Sequence, residues 1–226
     1  MATEINIFIH VALLDGWFEK VHKYILLIDS SGLFNIVNNI YLCFVGKDDI
    51  DISNFDDHIR KKILVKRVST NLTDFELPTQ KLLYDFCSNN KNSYILYIHT
   101  KGVGKEKNLC IEDWIDYMLH FLINKHTVAL ENLSTNSTVG VDLRNEPTLH
   151  YSGNFWWAKS SYISTLPDPL LFNNLVPYPN PLNSERHNQE FWICFIKDED
   201  LHYSMWDCGI NCYERHIHRY MPYNYN

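Results

Sequence analysis

The segment Tyr94 to Lys107, YILYIHTKGVGKEK, begins as an apolar strand and ends in His99, Thr100, Lys101 and Gly102. A buried strand that runs into an imidazole, an ammonium and glycines has the composition of an anion site. Lysine supplies a point charge and histidine a hydrogen bond, while glycine lets backbone approach an oxygen closely. The segment is not a P-loop, which needs GxxxxGK followed by Ser or Thr. With Gly104 and Lys105 aligned on the GK, His99 stands where the first Gly belongs. Glu106 then stands where the magnesium-binding hydroxyl belongs.

Other residues have types that could do chemistry. His10 ends an apolar run and either lines the same site or is a hydrogen-bonded core histidine. Gly153, Asn154, Phe155, Trp156 and Trp157 form a second cluster. Aromatic faces stack on the apolar faces of sugars, and an amide bridges hydroxyls. Adjacent strand residues point to opposite faces, so one tryptophan is expected in a pocket and one in the core. Asn154 and Trp156 share a face and are expected to meet ligand, with Trp157 inward. Glu190 lies one turn from Ile193 and Cys194 at an apolar edge, where a carboxylate can take a proton from an attacking hydroxyl. Asp142 is the reserve base. The run KDDIDISNFDD contains Asp49 and Asp51 in an Asp-x-Asp pattern, and the tail ERHIH carries His216 and His218. These four are reserve ligands for a divalent metal, manganese or magnesium; no metal site is firmly marked.

These residues need a scaffold. Ile5 to Leu13, Asn39 to Gly46, Lys62 to Ser69 and the run ending at Thr100 are β-branched and aromatic, as strands are. Between them, Trp17, Val21, Tyr24, Ile25 and Ile28 recur at helical spacing, Gly32 fits a helix stop, and Pro78 opens a helix with Leu82, Leu83 and Phe86 inward. Ile111, Trp114, Ile115, Met118, Leu119 and Leu122 give the cleanest helical stripe. A fifth strand is expected over Thr138 to Arg144 and a sixth over Gly153 to Ser160. Ser184 is expected to cap a last helix, ERHNQEFWICFI, after a proline-rich loop.

This alternation predicts an α/β fold: one Rossmann-type domain, a mostly parallel central sheet with helices on both faces. Ligands of such sheets bind beyond the carboxyl ends of the strands, where His10, Gly46 and His99 fall. The 226 residues are 46% hydrophobic, enough for one sizeable core. The net charge of −7 argues against a general nucleic-acid binder. No apolar run approaches the roughly 20 residues of a membrane span, and MATEINIFIH is no signal peptide, so a cytoplasmic location is expected (host cytoplasm if the source is viral). The six cysteines include no CxxC pair and are expected as free thiols.

Four pieces in order resemble the rhamnan synthesis protein F family of glycosyltransferases, which build surface polysaccharides. They are IFIHVALLDGWFEKV, YILYIHTKG followed by DWIDYMLHFLI, YSGNFWWAKSSYISTLP, and ERHNQEFW. The resemblance implies a GT-A-like fold, with residues 1–145 binding a nucleotide sugar and 146–226 binding acceptor. It implies a UDP-, dTDP- or GDP-linked donor, a glycan acceptor and an inverting hexosyl transfer. His10, His99, Thr100, Lys101 and Gly102 would bind donor, and Gly153, Asn154 and Trp156 acceptor. Where GT-A enzymes present Asp-x-Asp for a metal, this strand presents His-Thr-Lys-Gly. The alternative is a non-catalytic nucleotide- or sugar-binding protein of the same fold.

Overall fold

The computed structural model describes residues 3–175, 188–210, 214 and 217–219. Ser184, Glu185, Cys212, His216 and much of the proline-rich run lie outside them.

The strands are β1 (Glu4–Ala12), β2 (Asn39–Val45), β3 (Ile63–Ser69), β4 (Ser93–His99), β5 (Thr138–Gly140), β6 (Leu143–Arg144), β7 (His150–Tyr151), β8 (Trp156–Lys159) and β9 (His202–Ser204). The α-helices are α1 (Trp17–Ser30), α2 (Leu33–Ile36), α3 (Asp57–Arg60), α4 (Leu77–Asn89), α5 (Leu109–Leu119), α6 (His126–Thr135), α7 (Ser160–Ile163), α8 (Pro169–Leu175) and α9 (Asn188–Phe191). A π-helical turn, His120–Asn124, extends α5.

Seven strands form one sheet in the order β3-β2-β1-β4-β8-β5-β9, and β6 pairs with β7 beside it. β3, β2, β1 and β4 run parallel, joined by helical crossovers. Only β8 is reversed, lying antiparallel to both β4 and β5, while β9 runs parallel to β5. The sheet is therefore mostly parallel, and it spans both sides of residue 145.

Side-chain alternation assigns the two faces. Ile5, Ile7, Ile9 and Val11 of β1 and Leu96 and Ile98 of β4 pack in one core with α1, α5 and α6. Phe8, Ile95 and Tyr97 pack in a second core with α4, α7 and Trp192. Helices cover both faces, as the strand–helix alternation predicts. Trp156 joins the α4-side core and Trp157 the α1-side core, so the two tryptophans do point to opposite faces. The α1 stripe is buried at Val21, Tyr24, Ile25 and Ile28. Asn108 caps α5, accepting from the Cys110 and Ile111 N–H groups.

The structure corrects several element boundaries. The fifth strand stops at Gly140, because Asp142 adopts φ 52° and breaks the ladder before Leu143. The sixth strand is only Trp156–Lys159, since Gly153 (φ 98°) and Asn154 (φ 58°) are both left-handed. The last helix is one turn, Asn188–Phe191, followed by a 3-10 turn, Trp192–Cys194.

β9 adds a titratable element to the second core. His202 Nε2 donates to the Ile196 carbonyl at 2.8 Å, and Nδ1 lies 2.7 Å from the Thr138 hydroxyl. Burial pushes the His202 pKa below its ordinary value, against smaller raising effects from the Ile196 hydrogen bond and Asp198. A depressed histidine contributes stability that is present above the usual imidazole pKa of about 6.5 and lost as pH falls through the folded value. Thermal melts should therefore fall more steeply below about pH 6.5 for the native chain than for His202→Gln. Identical slopes would remove His202 from that account.

Candidate functional site

The carboxyl ends of β1, β2 and β4 open on a cavity of about 320 Å³. Its walls include His10, Val45, His99, Thr100, Lys101, Gly102 and Lys105, with Leu72, Phe75 and Glu76 from the segment before α4. A second, shallower hollow of about 530 Å³ shares Leu14 and Leu72 and adds Asp15, Lys47, Asp48 and Thr70.

Period-two alternation explains why the two histidines meet. His10 follows Phe8, and His99 follows Tyr97, so both leave their strands on the α4 side; they are register partners. His10 Nδ1 lies 2.9 Å from the Thr79 hydroxyl on α4. His99 Nε2 donates to the Gly153 carbonyl at 3.0 Å, and Nδ1 lies 3.7 Å from Glu76 Oε1. Thr100 is buried and works on backbone: its N–H donates to the His10 carbonyl at 3.0 Å, and its hydroxyl accepts from Ala12 N–H at 3.1 Å.

The chain then turns. Val103 N–H donates to the Thr100 carbonyl, and Gly102, the third residue of the turn, has φ 77°. A type II turn requires a positive φ there, which is why the position is glycine. The turn presents Lys101 at the cavity rim. Its ammonium sits 4.2 Å over the Trp114 ring, and its carbonyl accepts from Lys20 Nζ at 2.9 Å.

Glu76, the residue before α4, was not legible as a site residue in the sequence. It is only 7% exposed. Its Oε2 accepts from the Tyr97 hydroxyl at 2.8 Å and from Asn154 Nδ2 at 2.7 Å. Its N–H donates to Gln189 Oε1, and Gln80 Nε2 donates to the Gln189 carbonyl. Burial, then the charge of Glu76, pushes the Tyr97 phenol well above its ordinary pKa, so the hydroxyl remains a donor. The one signal available was an acidic residue at the start of a proline-marked helix that follows a strand.

The Gly153–Trp157 cluster lies behind the cavity rather than in its lining. Trp156 is fully buried, stacks on Tyr97 at 4.9 Å, and donates its indole N–H to Asn154 Oδ1 at 2.9 Å. The expectation that Trp156 faces ligand is therefore corrected. Both faces of β8 are covered by helices, so a sheet position is no guide to exposure. Asn154 and Gly153 are likewise engaged inside, Asn154 on Glu76 and Gly153 on His99. Trp157 is buried as expected and donates to the Leu122 carbonyl at 2.8 Å.

The carboxylates separate. Glu190 is half-buried on α9, beside Gln189, and its charge reaches Tyr97. Asp142 is fully buried and committed: its Oδ1 accepts from Arg144 at 3.1 Å and from Cys208 N–H at 2.8 Å. That removes it as a reserve base. Asp49 and Asp51 lie outside the cavity lining; Asp51 accepts from Ser53 N–H, which lowers its pKa. His218 is exposed, 3.3 Å from Glu214.

Among the described residues, one trio brings possible metal-ligating atoms within 4.8 Å of one another: Asp142, Asp207 and Cys208. The Arg144 guanidinium already bridges the two carboxylates, donating to Asp207 at 2.7 and 2.8 Å. Manganese or magnesium wants oxygen ligands unshared with a fixed cation. This trio does not fit such an ion.

The family described as Domain of unknown function (DUF8361) matches residues 21–194. No curated protein matches the sequence. A crystallised protein from Desulfovibrio desulfuricans G20, provisionally described as a nucleotide-diphospho-sugar transferase, aligns with 92% of this chain and 81% of its own at 10% identity and a TM-score of 0.44. That likeness is too distant to bear on the chemistry. Among the described residues no helix is long and apolar enough to cross a membrane.

Proposed function

We propose that this chain, which belongs to the family described as Domain of unknown function (DUF8361), is a glycosyltransferase that passes a sugar from a nucleotide-diphosphate donor to a glycan hydroxyl. The observation that carries the reading is the cavity at the parallel strand ends, where His10, His99, Lys101 and Lys105 gather. Breaking the bond between sugar and diphosphate builds charge on the leaving phosphates. Cations fixed beside them stabilise that charge as it forms. Lys101 and Lys105 supply the charge, and the turn at Gly102 brings backbone close. The adjoining hollow at Leu13, Asp15 and Lys47 gives room for the nucleoside.

Glu190 is the proposed acceptor of the hydroxyl proton in an inverting transfer of a hexose. Gly153, Asn154 and Trp156 support the site from behind instead of touching the glycan. The resemblance to rhamnan synthesis F proteins suits a role in surface polysaccharide synthesis from a UDP-, dTDP- or GDP-linked sugar, in the cytoplasm. A second reading has one observation in its favour. Glu76, the carboxylate that opens on the cavity, is already hydrogen-bonded twice, as a binding protein without chemistry would allow.

A panel of UDP-, dTDP- and GDP-sugars, assayed for nucleotide release and for binding, tests both. Turnover of one donor is the expected result. Binding without turnover favours the second reading, and neither binding nor turnover sinks both. Saturating EDTA should leave a substantial part of the turnover, because the charge is met by side chains. Complete loss in EDTA with recovery in manganese would overturn the fixed-cation account.

A further inference from the structure

We propose that Phe75 and Glu76 select the sugar of the donor. The Phe75 ring takes the apolar face of a neutral hexose, the Glu76 carboxylate accepts from its hydroxyls, and donors that carry a hexuronate are refused. The inference rests on the donor-site reading above and names the class of sugar that reading leaves open.

Both residues line the cavity of about 320 Å³ and belong to the segment before α4, whereas Lys101, Gly102 and Lys105 come from the turn after β4. The anionic part of a ligand goes to the lysines. A neutral part rich in hydroxyls suits the other segment. A 3-10 turn, Leu72–Asp74, precedes α4, and Phe75 joins the two with φ 49° and ψ −130°. A bulky side chain rarely adopts a positive φ, and glycine would hold this bend without strain. Strain of this kind persists where function uses the side chain. The ring belongs to neither core, and 36% of the residue is exposed, so burial does not explain a phenylalanine here. An aromatic ring on a cavity wall is suited to the C–H face of a sugar.

Glu76 is aimed from behind. Its Oε2 accepts from the Tyr97 hydroxyl and from Asn154 Nδ2. Both partners donate, as an ionised carboxylate, which only accepts, requires. Asn154 cannot reverse its amide: its Oδ1 accepts from the Trp156 indole, which can only donate, so Nδ2 is left for Glu76. Oε1 is the oxygen left for a ligand. Among the described residues no hydrogen bond ends on it, and His99 Nδ1, 3.7 Å away, stands beyond hydrogen-bond length. The side chain is 10% exposed, and Oε1 is not one of the sealed polar atoms that lack a partner. A hydroxyl that donates to it gains a charged acceptor. A hexuronate brings a second carboxylate to the same wall, where water screens the repulsion little. The cations of the turn are by then committed to the diphosphate.

The test uses the whole chain and calorimetric titration with UDP-glucose, dTDP-glucose and GDP-mannose. Each is run beside its nucleoside diphosphate and its hexuronate counterpart: UDP-glucuronate, dTDP-glucuronate and GDP-mannuronate. For the nucleotide that binds, the neutral sugar should bind about tenfold or more tighter than the hexuronate. Glu76→Gln should bring the two within about threefold of each other. Phe75→Gly should weaken the neutral sugar nucleotide about tenfold and leave the nucleoside diphosphate as it was. It should not lower the melting temperature, since glycine relieves the bend. A phenylalanine that served only the fold would show the reverse, a lower melting temperature with unchanged affinity. The proposal is overturned if the native chain takes hexuronate as tightly as hexose, or if folded Glu76→Gln keeps the native ratio. It is also overturned if Phe75→Gly weakens the nucleoside diphosphate equally, which would put the ring on the base. Should Glu76→Gln not fold, the native ratio and Phe75→Gly decide. Hexose selection without turnover of any donor sinks the transferase reading alone. Turnover of hexose and hexuronate alike sinks only this inference, and no binding of any nucleotide sinks both.

Discussion

Replacing Lys101 by methionine lowers turnover of the nucleotide-diphosphate donor by at least about a hundredfold and leaves the melting temperature nearly unchanged. The two halves of this expectation have separate causes. On the proposed transferase reading, the rate falls because the ammonium at the rim of the β4 end would be the charge that meets the departing phosphates. Methionine keeps the stem of the side chain and removes only that charge. The fold persists because Lys101 serves it through backbone: its carbonyl accepts from Lys20, and it sits in a turn closed by Val103 on Thr100. The cation over Trp114 is forfeited, a contact worth about 0.5–1 kcal/mol when partly exposed. Initial rates at saturating donor, with calorimetry on the same samples, check both halves. A variant that keeps near native turnover would end the role of Lys101 and leave Lys105, on the same wall, as the cation to remove next.

Truncating either tryptophan of β8 should cost about 3–5 kcal/mol. Both are fully buried, on opposite faces of the sheet, so each leaves a void that helix packing cannot close. In a chain of this size that is a fall in melting temperature of the order of ten degrees. The functional consequences differ. Trp157→Ala empties the α1-side core and frees the Leu122 carbonyl, away from the cavity. Trp156→Ala also releases Asn154, whose amide then no longer has a fixed orientation toward Glu76. At a temperature where both variants remain folded, Trp156→Ala should lose donor affinity and Trp157→Ala should keep it. A melting temperature within a degree or two of native for either variant would contradict the burial on which the argument stands.

Much of the scaffold was legible because period and polarity are local signals. β1 to β4, α1, α4 and α5 appear where apolar alternation or helical recurrence marks them. That His10, His99, Thr100, Lys101 and Gly102 share one cavity was legible because the rule placing ligands beyond parallel strand ends needs only the strands. Three things were not. The reversal of β8 has no signature in four residues, WWAK. The helix α6 buries only His126, Ala129 and Leu133, too thin a stripe to register. Glu76 is made important by partners far off in the chain, Tyr97 and Asn154, and nothing in TDFELPTQ announces them. The assignment of Trp156 to a pocket failed for a related reason. Alternation tells which face a side chain takes, but whether that face is open depends on which helices return to cover it.

The reversal of β8 also makes the order of synthesis matter. β1 to β4 can assemble as the chain emerges, β2 joining β1, β3 joining β2 and β4 joining the other edge of β1, each through a helical crossover. β4 then presents Ile95, Leu96 and Tyr97 along an uncovered edge until residues 156–159 arrive and pair with it. Closing so long a loop is entropically slow compared with the crossovers before it. An apolar strand edge left open for that interval is a template for pairing with another nascent copy. Polysomes, where such copies crowd together, are where this chain is most exposed to misassembly, and a fragment ending before β8 would carry that hazard permanently.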